Sequence, residues 1–208
     1  MEDIQITQVK DVYEKIANHF SNTRKVRWDW VDNFIQNIKP GSLVYDIGCG
    51  NGRNMISNHV TFIGVDNCEN FVKICREKNL NVINSNIKNL PFRDNSADSI
   101  LCIAVFHHLS NFNDRILSLN EIKRVAKNDS LILLSVWSIN QPKKTKKNFT
   151  QFGDNIVLWN CYGEIYKRYY YLFNLSEINN LFEIVGLKVL DYQYNCGNEI
   201  FILKVQKN

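Results

Sequence analysis

The residues Asp46-Ile47-Gly48-Cys49-Gly50-Asn51-Gly52 follow directly on the apolar run Leu43-Val44-Tyr45 and set three glycines at alternate positions. Glycine permits positive φ and lets a ligand approach the backbone closely. A helix expected from Asn51 to Asn58 would add free N–H groups and a partial positive charge. A loop of this kind holds a nucleotide-like or carboxylate-bearing ligand, although an ordinary strand-to-helix turn uses glycines in the same way. The dinucleotide pattern G-x-G-x-x-G would need a glycine at position 53, where Arg53 stands, so NAD and FAD are disfavoured. Asp66 ends the next apolar run, where a carboxylate can accept hydrogen bonds from both ribose hydroxyls. This spacing supports an adenosine-containing ligand.

Other side chains suited to chemistry lie further along. His107 and His108 follow the fourth apolar run, at the edge where open α/β sheets bind ligands. One of them would touch substrate or ligand while the other packs in the wall, with a structural role for both as the alternative. Arg24 and Arg168 are candidates to hold a phosphate or a carboxylate oxygen in a fork, against the plainer reading of surface or ion-paired guanidiniums. Tyr13, Phe20 and Trp28 are placed to cover a ligand or stack on an extruded base, or to pack as core at helical spacing. Lys143, Lys144, Lys146 and Lys147 would serve as a phosphate-contacting flap or as a solvated charged loop.

The elements that position these residues read as one domain over 1–208. Residues 1–40 form an N-terminal helical cover: Val9, Val12, Tyr13, Ile16 and Phe20 recur at helical spacing, and a second stripe runs through Val26, Trp30, Val31, Phe34 and Ile38. Strands are predicted at Leu43 to Ile47, Thr61 to Val65, Val82 to Asn84, Ser99 to Val105 and Ser130 to Trp137. Helices are predicted at Asn51 to Asn58, Glu69 to Lys78 and Asn113 to Lys127. The alternation makes a parallel sheet with helices on both faces. It lapses from Ser138 to Tyr162, within a region 138–175 read as a substrate-side insertion. A helix near Ser176 to Val185, capped by Ser176, precedes Lys188 to Tyr194 and Glu199 to Val205. The turn Asn195-Cys196-Gly197-Asn198 between them predicts a closing antiparallel hairpin.

Composition narrows the class. The 208 residues are 45% hydrophobic and 22% charged, ordinary for a globular domain. No apolar run reaches the roughly 18 residues that span a bilayer, and the first residues lack a secretory profile, so no membrane association is expected. The six cysteines form no C-x-x-C pair, which argues against a metal site and for a reducing compartment. A cytoplasmic location, with the nucleus as a second site, is the expectation. A net charge of +4 neither demands nor opposes a polyanionic partner.

Asp46-x-Gly48-x-Gly50-x-Gly52, then Asp66, then Asn86-Ile87-Lys88-Asn89-Leu90-Pro91-Phe92, then Asp98 leading the fourth strand, resemble the class I S-adenosylmethionine methyltransferases. The resemblance implies a Rossmann-like α/β fold with a seven-stranded, mostly parallel sheet, a C-terminal antiparallel hairpin and N-terminal helices. It implies S-adenosylmethionine as cofactor and S-adenosylhomocysteine as product. The loop residues Asp46, Gly48, Cys49, Gly50 and Gly52 would carry the methionine moiety, Asp66 and Asn67 the ribose, and Asn86 and Ile87 the adenine. Ala104 and the covering Tyr13 and Phe20 complete the set. Asn86 departs from the usual Asp, but its amide oxygen can still accept from an amine.

Four further blocks are similar to the eukaryotic tRNA wobble-uridine carboxymethyl methyltransferases. They are Val12 to Arg24 followed by Trp28, Ile103 to Leu109, Val136 to Gln141, and Arg168-Tyr169-Tyr170-Tyr171-Leu172-Phe173. Two departures are Asp29, where a proline commonly follows the tryptophan, and Asn195 to Asn198, where a tryptophan is common. The resemblance implies O-methylation of the 5-carboxymethyluridine carboxylate at tRNA position 34, with Arg24, His107, His108 and Arg168 on the catalytic side. It also implies binding of the tRNA anticodon loop and a small zinc-binding activator, which would cover an apolar edge at Leu80 to Ile83. A methyltransferase for a small carboxylate or other metabolite, and a non-catalytic binding subunit, stay open as rivals.

Overall fold

Strand β1 (Leu43–Ile47) has a parallel neighbour on each side, and four of its five residues are buried, which is why its sequence is almost continuously apolar. The computed structural model describes residues 4, 6–143 and 149–207. The parallel strands are β1, β2 (Thr61–Asp66), β3 (Val82–Asn84), β4 (Ala97–Ile103) and β5 (Ala126–Trp137). They are joined by β8 (Leu187–Asn195) and β9 (Asn198–Val205), an antiparallel hairpin turned by Cys196 and Gly197 at positive φ. The seven-stranded order is β3-β2-β1-β4-β5-β9-β8. Strand order reverses between β1 and β4, and this opens a crevice at their carboxyl ends.

Helices α4 (Phe112–Val125) and α5 (Leu175–Val185) cover one face over Ile100, Leu119, Ile122, Ile132, Phe182 and Phe201. Helices α2 (Asp29–Gln36) and α3 (Glu69–Glu77) cover the other over Val31, Phe34, Val44, Phe62 and Val72. The first helix, α1 (Asp11–Thr23), instead lies across the carboxyl end of the sheet. Its Glu14 carboxylate accepts from the N–H groups of Glu69 (2.6 Å) and Asn70 (3.0 Å), so a side chain of α1 caps α3. No helix among the described residues is long and apolar enough to cross a membrane.

Five sequence expectations need correction. No helix follows the glycine loop over 51–58. The chain makes tight turns, with Gly52 N–H donating to Cys49 O and Met55 N–H to Gly52 O, and runs on without regular structure to β2. Arg27 binds the carbonyls of Asn54 and Ile56, groups a helix would have needed, and Ile56 is exposed. The loop therefore offers its own N–H groups without a helix dipole behind them.

The lapse after Trp137 contains β6 (Gly153–Cys161), which pairs with β7 (Glu164–Leu172) in a separate two-stranded sheet. Its period-two signal is masked because the outward Ile156 and Leu158 are as apolar as the inward Val157 and Cys161. Helix α4 stops at Val125, where β5 begins, two residues before the predicted end. Helix α5 is capped by Asn174, whose Oδ1 accepts from Glu177 N–H (2.8 Å), and not by Ser176. Strand β4 runs two residues earlier than predicted at each end, because Ala104 takes φ 58° and breaks the extended path. Lys144, Lys146 and Lys147 lie outside the described residues, and Lys143 is exposed.

Candidate active site

The glycine loop reaches the crevice because each glycine meets a different demand. A Cβ on Gly48 would lie 2.2 Å from Val105 Cγ2, and Gly48 has φ 74°. Gly50, at φ 53°, faces open space, so its backbone is exposed to an incoming ligand. Its N–H donates to Asp66 Oδ2 (2.8 Å), and Cys68 N–H donates to Asp66 Oδ1 (2.9 Å). Asp66 thus ties the end of β2 to the loop after β1. Burial raises its pKa to about 6 against the pull of those N–H groups.

A cavity of about 310 Å³ opens above the loop. Ten of the twelve residues expected around the ligand line it: Gly48, Cys49, Gly50, Asp66, Asn67, Asn86, Ile87, Ala104, Tyr13 and Phe20. Asp46 and Gly52 do not. Gly52 lies behind the loop, where a Cβ would meet Leu80 at 2.3 Å. Asp46 is fully buried near the Asn54 amide, and neither of its carboxylate oxygens has a hydrogen-bond partner of normal geometry among the described residues. Burial raises its pKa to about 7, with Arg53 pulling the other way. Asn86 Oδ1, expected to accept from an adenine amine, already accepts from Lys88 N–H (3.0 Å). Trp28 is not over the cavity; it stacks on Trp30, with the Arg53 guanidinium 4.0 Å from its ring centroid.

Beside this cavity stands an aromatic cluster that β7 and α1 bring together. His108 lines the cavity, and its Nδ1 lies 2.8 Å from the Tyr169 carbonyl. Nδ1 must therefore carry the proton, and Nε2 accepts from Tyr13 Oη (3.0 Å). His107 is buried and stacks on Tyr170 at 4.7 Å between centroids. Its Nδ1 accepts from Trp137 N–H, which puts the proton on Nε2, a buried atom without a partner. Burial pushes His107 well below the usual histidine pKa and His108 to about 3, with Arg168 lowering both further. Both imidazoles are neutral at pH 7.

Arg168 is 1% exposed and pairs with no carboxylate among the described residues. Its Nη1 donates to Tyr170 Oη (2.8 Å) and Tyr13 Oη (3.3 Å), while Nε and Nη2 are buried and unpartnered. Burial works against its charge, and the hydroxyls of Tyr170 and Tyr13 more than offset this, so the pKa is raised. Its guanidinium lies 4.6 Å from the Trp159 ring, and that of Arg24 lies 5.6 Å from the same ring. Burial, together with Arg168 nearby, lowers the Arg24 pKa. Buried charges demand a counter-charge or hydrogen bonds. A guanidinium edge with two free donors is suited to a carboxylate or phosphate.

His107 and Arg168 thus sit one layer behind the cavity, joined to it through His108 and Tyr13, and Arg24 approaches it through Phe20, whose ring lies 5.4 Å from its guanidinium. Sequence reading missed Trp159, Tyr170 and Glu14 as parts of this assembly. Tyr170 lies inside a recognised block without being singled out, whereas Trp159 lies in a strand that the sequence does not reveal.

The Methyltransferase domain family matches residues 45–134, the span from β1 through β5. The fold is shared with a Methanosarcina mazei structure described as an S-adenosylmethionine-dependent methyltransferase. The TM-score is 0.70 at 16% identity, covering 88% of this chain and 100% of that one. The complex between the Haloferax volcanii Trm112 methyltransferase activator and a methyltransferase holds another such structure, with TM-score 0.70, 14% identity and coverage of 96% and 98%. The chain carries a methyltransferase domain with a Rossmann-like fold.

A Schizosaccharomyces pombe tRNA (carboxymethyluridine(34)-5-O)-methyltransferase is 35% identical over 91% of this chain and 92% of its own length. An Arabidopsis thaliana protein of the same name is 38% identical over 67% of this chain, which spans only 35% of that longer protein. The chain belongs to this tRNA methyltransferase family.

Proposed function

We propose that this protein transfers the methyl group of S-adenosylmethionine to the carboxylate of 5-carboxymethyluridine at position 34 of tRNA, forming the methyl ester. The observation that carries the reading is Arg168, a buried guanidinium one layer behind the ligand cavity that has two unpartnered donors and no carboxylate among the described residues. A substrate carboxylate supplies the missing charge and acceptors.

The cavity residues fit the cofactor. Asp66 keeps lone pairs for ribose hydroxyls, the Gly48 and Gly50 backbone would cradle the methionine part, and Asn86 and Ile87 would flank the adenine. Asp46, when ionised, adds negative potential beneath the loop, which favours a cationic ligand in the cavity. When bound, S-adenosylmethionine supplies an electrophilic sulfonium methyl.

The acceptor needs no general base, because a carboxylate ionises near pH 4. This agrees with two neutral histidines, three of whose four ring nitrogens are used for positioning. The Tyr169 carbonyl fixes His108, His108 fixes the Tyr13 hydroxyl, and Tyr13 with Tyr170 aims Arg168. Holding one carboxylate oxygen on Arg168 leaves a lone pair of the other to align with the methyl, a gain in orientation. The aromatic walls lower the polarity around a reaction that neutralises charge.

A small zinc-binding activator is proposed as partner. The edge strand β3 supports this, with Leu80 and Ile83 half-buried and no strand beyond them. The test uses methyl-labelled S-adenosylmethionine and tRNA carrying 5-carboxymethyluridine, with and without an activator of this kind. Label in the uridine that mild alkali releases as methanol supports the ester. Alkali-stable label, or transfer to free carboxylic acids without tRNA, overturns it.

A further inference from the structure

Two thiols beside the glycine loop take no part in the methyl transfer. Cys49 follows Gly48 and lines the ligand cavity, while Cys75 comes from α3 and is fully buried. They converge on one acceptor, the Gly50 carbonyl oxygen, which lies 3.9 Å from Cys49 Sγ and 3.2 Å from Cys75 Sγ. The space around them is tight: a Cβ on Gly64 would lie 2.8 Å from Cys49 Sγ, and one on Gly52 3.1 Å from Cys75 Sγ. Each thiol perturbs the other: Cys49 lowers the Cys75 pKa, and Cys75 together with burial raises that of Cys49.

We propose that Cys49 and Cys75 are a modification site: hydrogen peroxide converts them to a disulfide that disables the glycine loop until a thiol reduces it. The proposal rests on reading that loop as the cofactor site. One thiolate attacks the peroxide, the O–O bond breaks, and the departing hydroxide leaves as water with the thiol proton. The second sulfur then displaces the hydroxyl from the sulfenic acid, the S–S bond forms, and a second water leaves. Two thiols and one peroxide give one disulfide and two waters.

Bridging requires an S–S separation of about 2.05 Å. Drawing Cys49 toward α3 pulls on Gly48 and Gly50, both at positive φ, and Gly48 is already hemmed in by Val105. Cys49 lines the cavity, so a bound cofactor shields that thiol.

The experiment uses the full chain with the exposed Cys196 replaced, C196S, to prevent links between molecules. The protein is treated with hydrogen peroxide, alkylated and digested, and peptide mass spectrometry is run beside calorimetric titration with S-adenosylhomocysteine. The expected result is a Cys49–Cys75 peptide and at least a tenfold loss of affinity, reversed by dithiothreitol. Saturating S-adenosylhomocysteine should slow the loss, and Cys75→Ser, which can still donate to Gly50 O, should abolish it. Free thiols at both positions after oxidation, or an unchanged affinity in the linked protein, overturn the proposal. Reduced protein that binds no S-adenosylhomocysteine overturns both the proposal and the cofactor reading.

Discussion

On the cofactor side of the cleft, the key groups come mainly from a short stretch of chain, 46–66, and bond to one another without a ligand. Asp66 accepts from Gly50 and Cys68, and the glycines hold their positive φ within the fold. On the acceptor side the groups come from α1, the turn after β4, and the strands β6 and β7, and they leave donors unused at Arg168 and His107. The first half is a preformed cradle that can bind alone. The second is an incomplete hydrogen-bond network that a charged substrate completes. Damage to the two halves should therefore separate: one set of changes abolishes turnover with binding of the cofactor intact, and the other abolishes binding itself.

The largest effect is expected at Arg168. Arg168→Lys removes the planar fork, and kcat/KM on tRNA should fall by about 100- to 1,000-fold, the loss expected when a buried charged contact goes. Affinity for S-adenosylhomocysteine, measured by calorimetry, should stay within about twofold. Next, Asp66→Ala removes both the tie to Gly50 and the ribose acceptor. Cofactor affinity should drop by about 100-fold, on the order of 3 kcal/mol for a charged pair of hydrogen bonds. Binding of tRNA in a gel-shift assay should be little changed. Tyr13→Phe breaks the link from His108 to Arg168 and should cost about tenfold in kcat, with a smaller change in affinity.

The pH dependence sharpens the same contrast. Asp46 has its pKa raised to about 7 from an ordinary value of 3.8, so the folded protein holds a proton that the unfolded chain releases. Stability of the ligand-free protein should therefore fall as pH rises from about 4 to 7 and then level off. Asp66, raised to about 6, adds in the same direction over a narrower range. Asp46→Asn should flatten the slope of Tm against pH. The smallest effect is expected for Asn86→Asp, because either side chain accepts from Lys88 N–H; the change in cofactor affinity should be under about threefold.

What the sequence could reveal follows the same division. The cradle depends on contiguous residues whose types have few other uses, so Gly48, Gly50 and Asp66 were recognisable by spacing alone, and the sheet they serve followed from alternating apolar runs. The helix expected after the loop failed because tertiary bonds from Arg27 took the carbonyls that local propensity would have paired. The acceptor side joins residues up to 157 positions apart, as in the contact of Tyr13 with Tyr170, and no local pattern encodes that. Arg24 and Arg168 were visible as candidates only through their blocks. The state that matters, a buried guanidinium without a counter-ion, exists only in the folded chain.

The central claim is that Arg168 recognises the negative charge of the substrate. The most direct measurement is the affinity of an anticodon stem-loop carrying 5-carboxymethyluridine compared with one carrying the neutral 5-carbamoylmethyluridine, for the natural protein and for Arg168→Met. A preference of at least tenfold for the carboxylate in the natural protein, lost in the variant, is the expected result. An equal preference in both proteins would contradict it and move charge recognition to another residue.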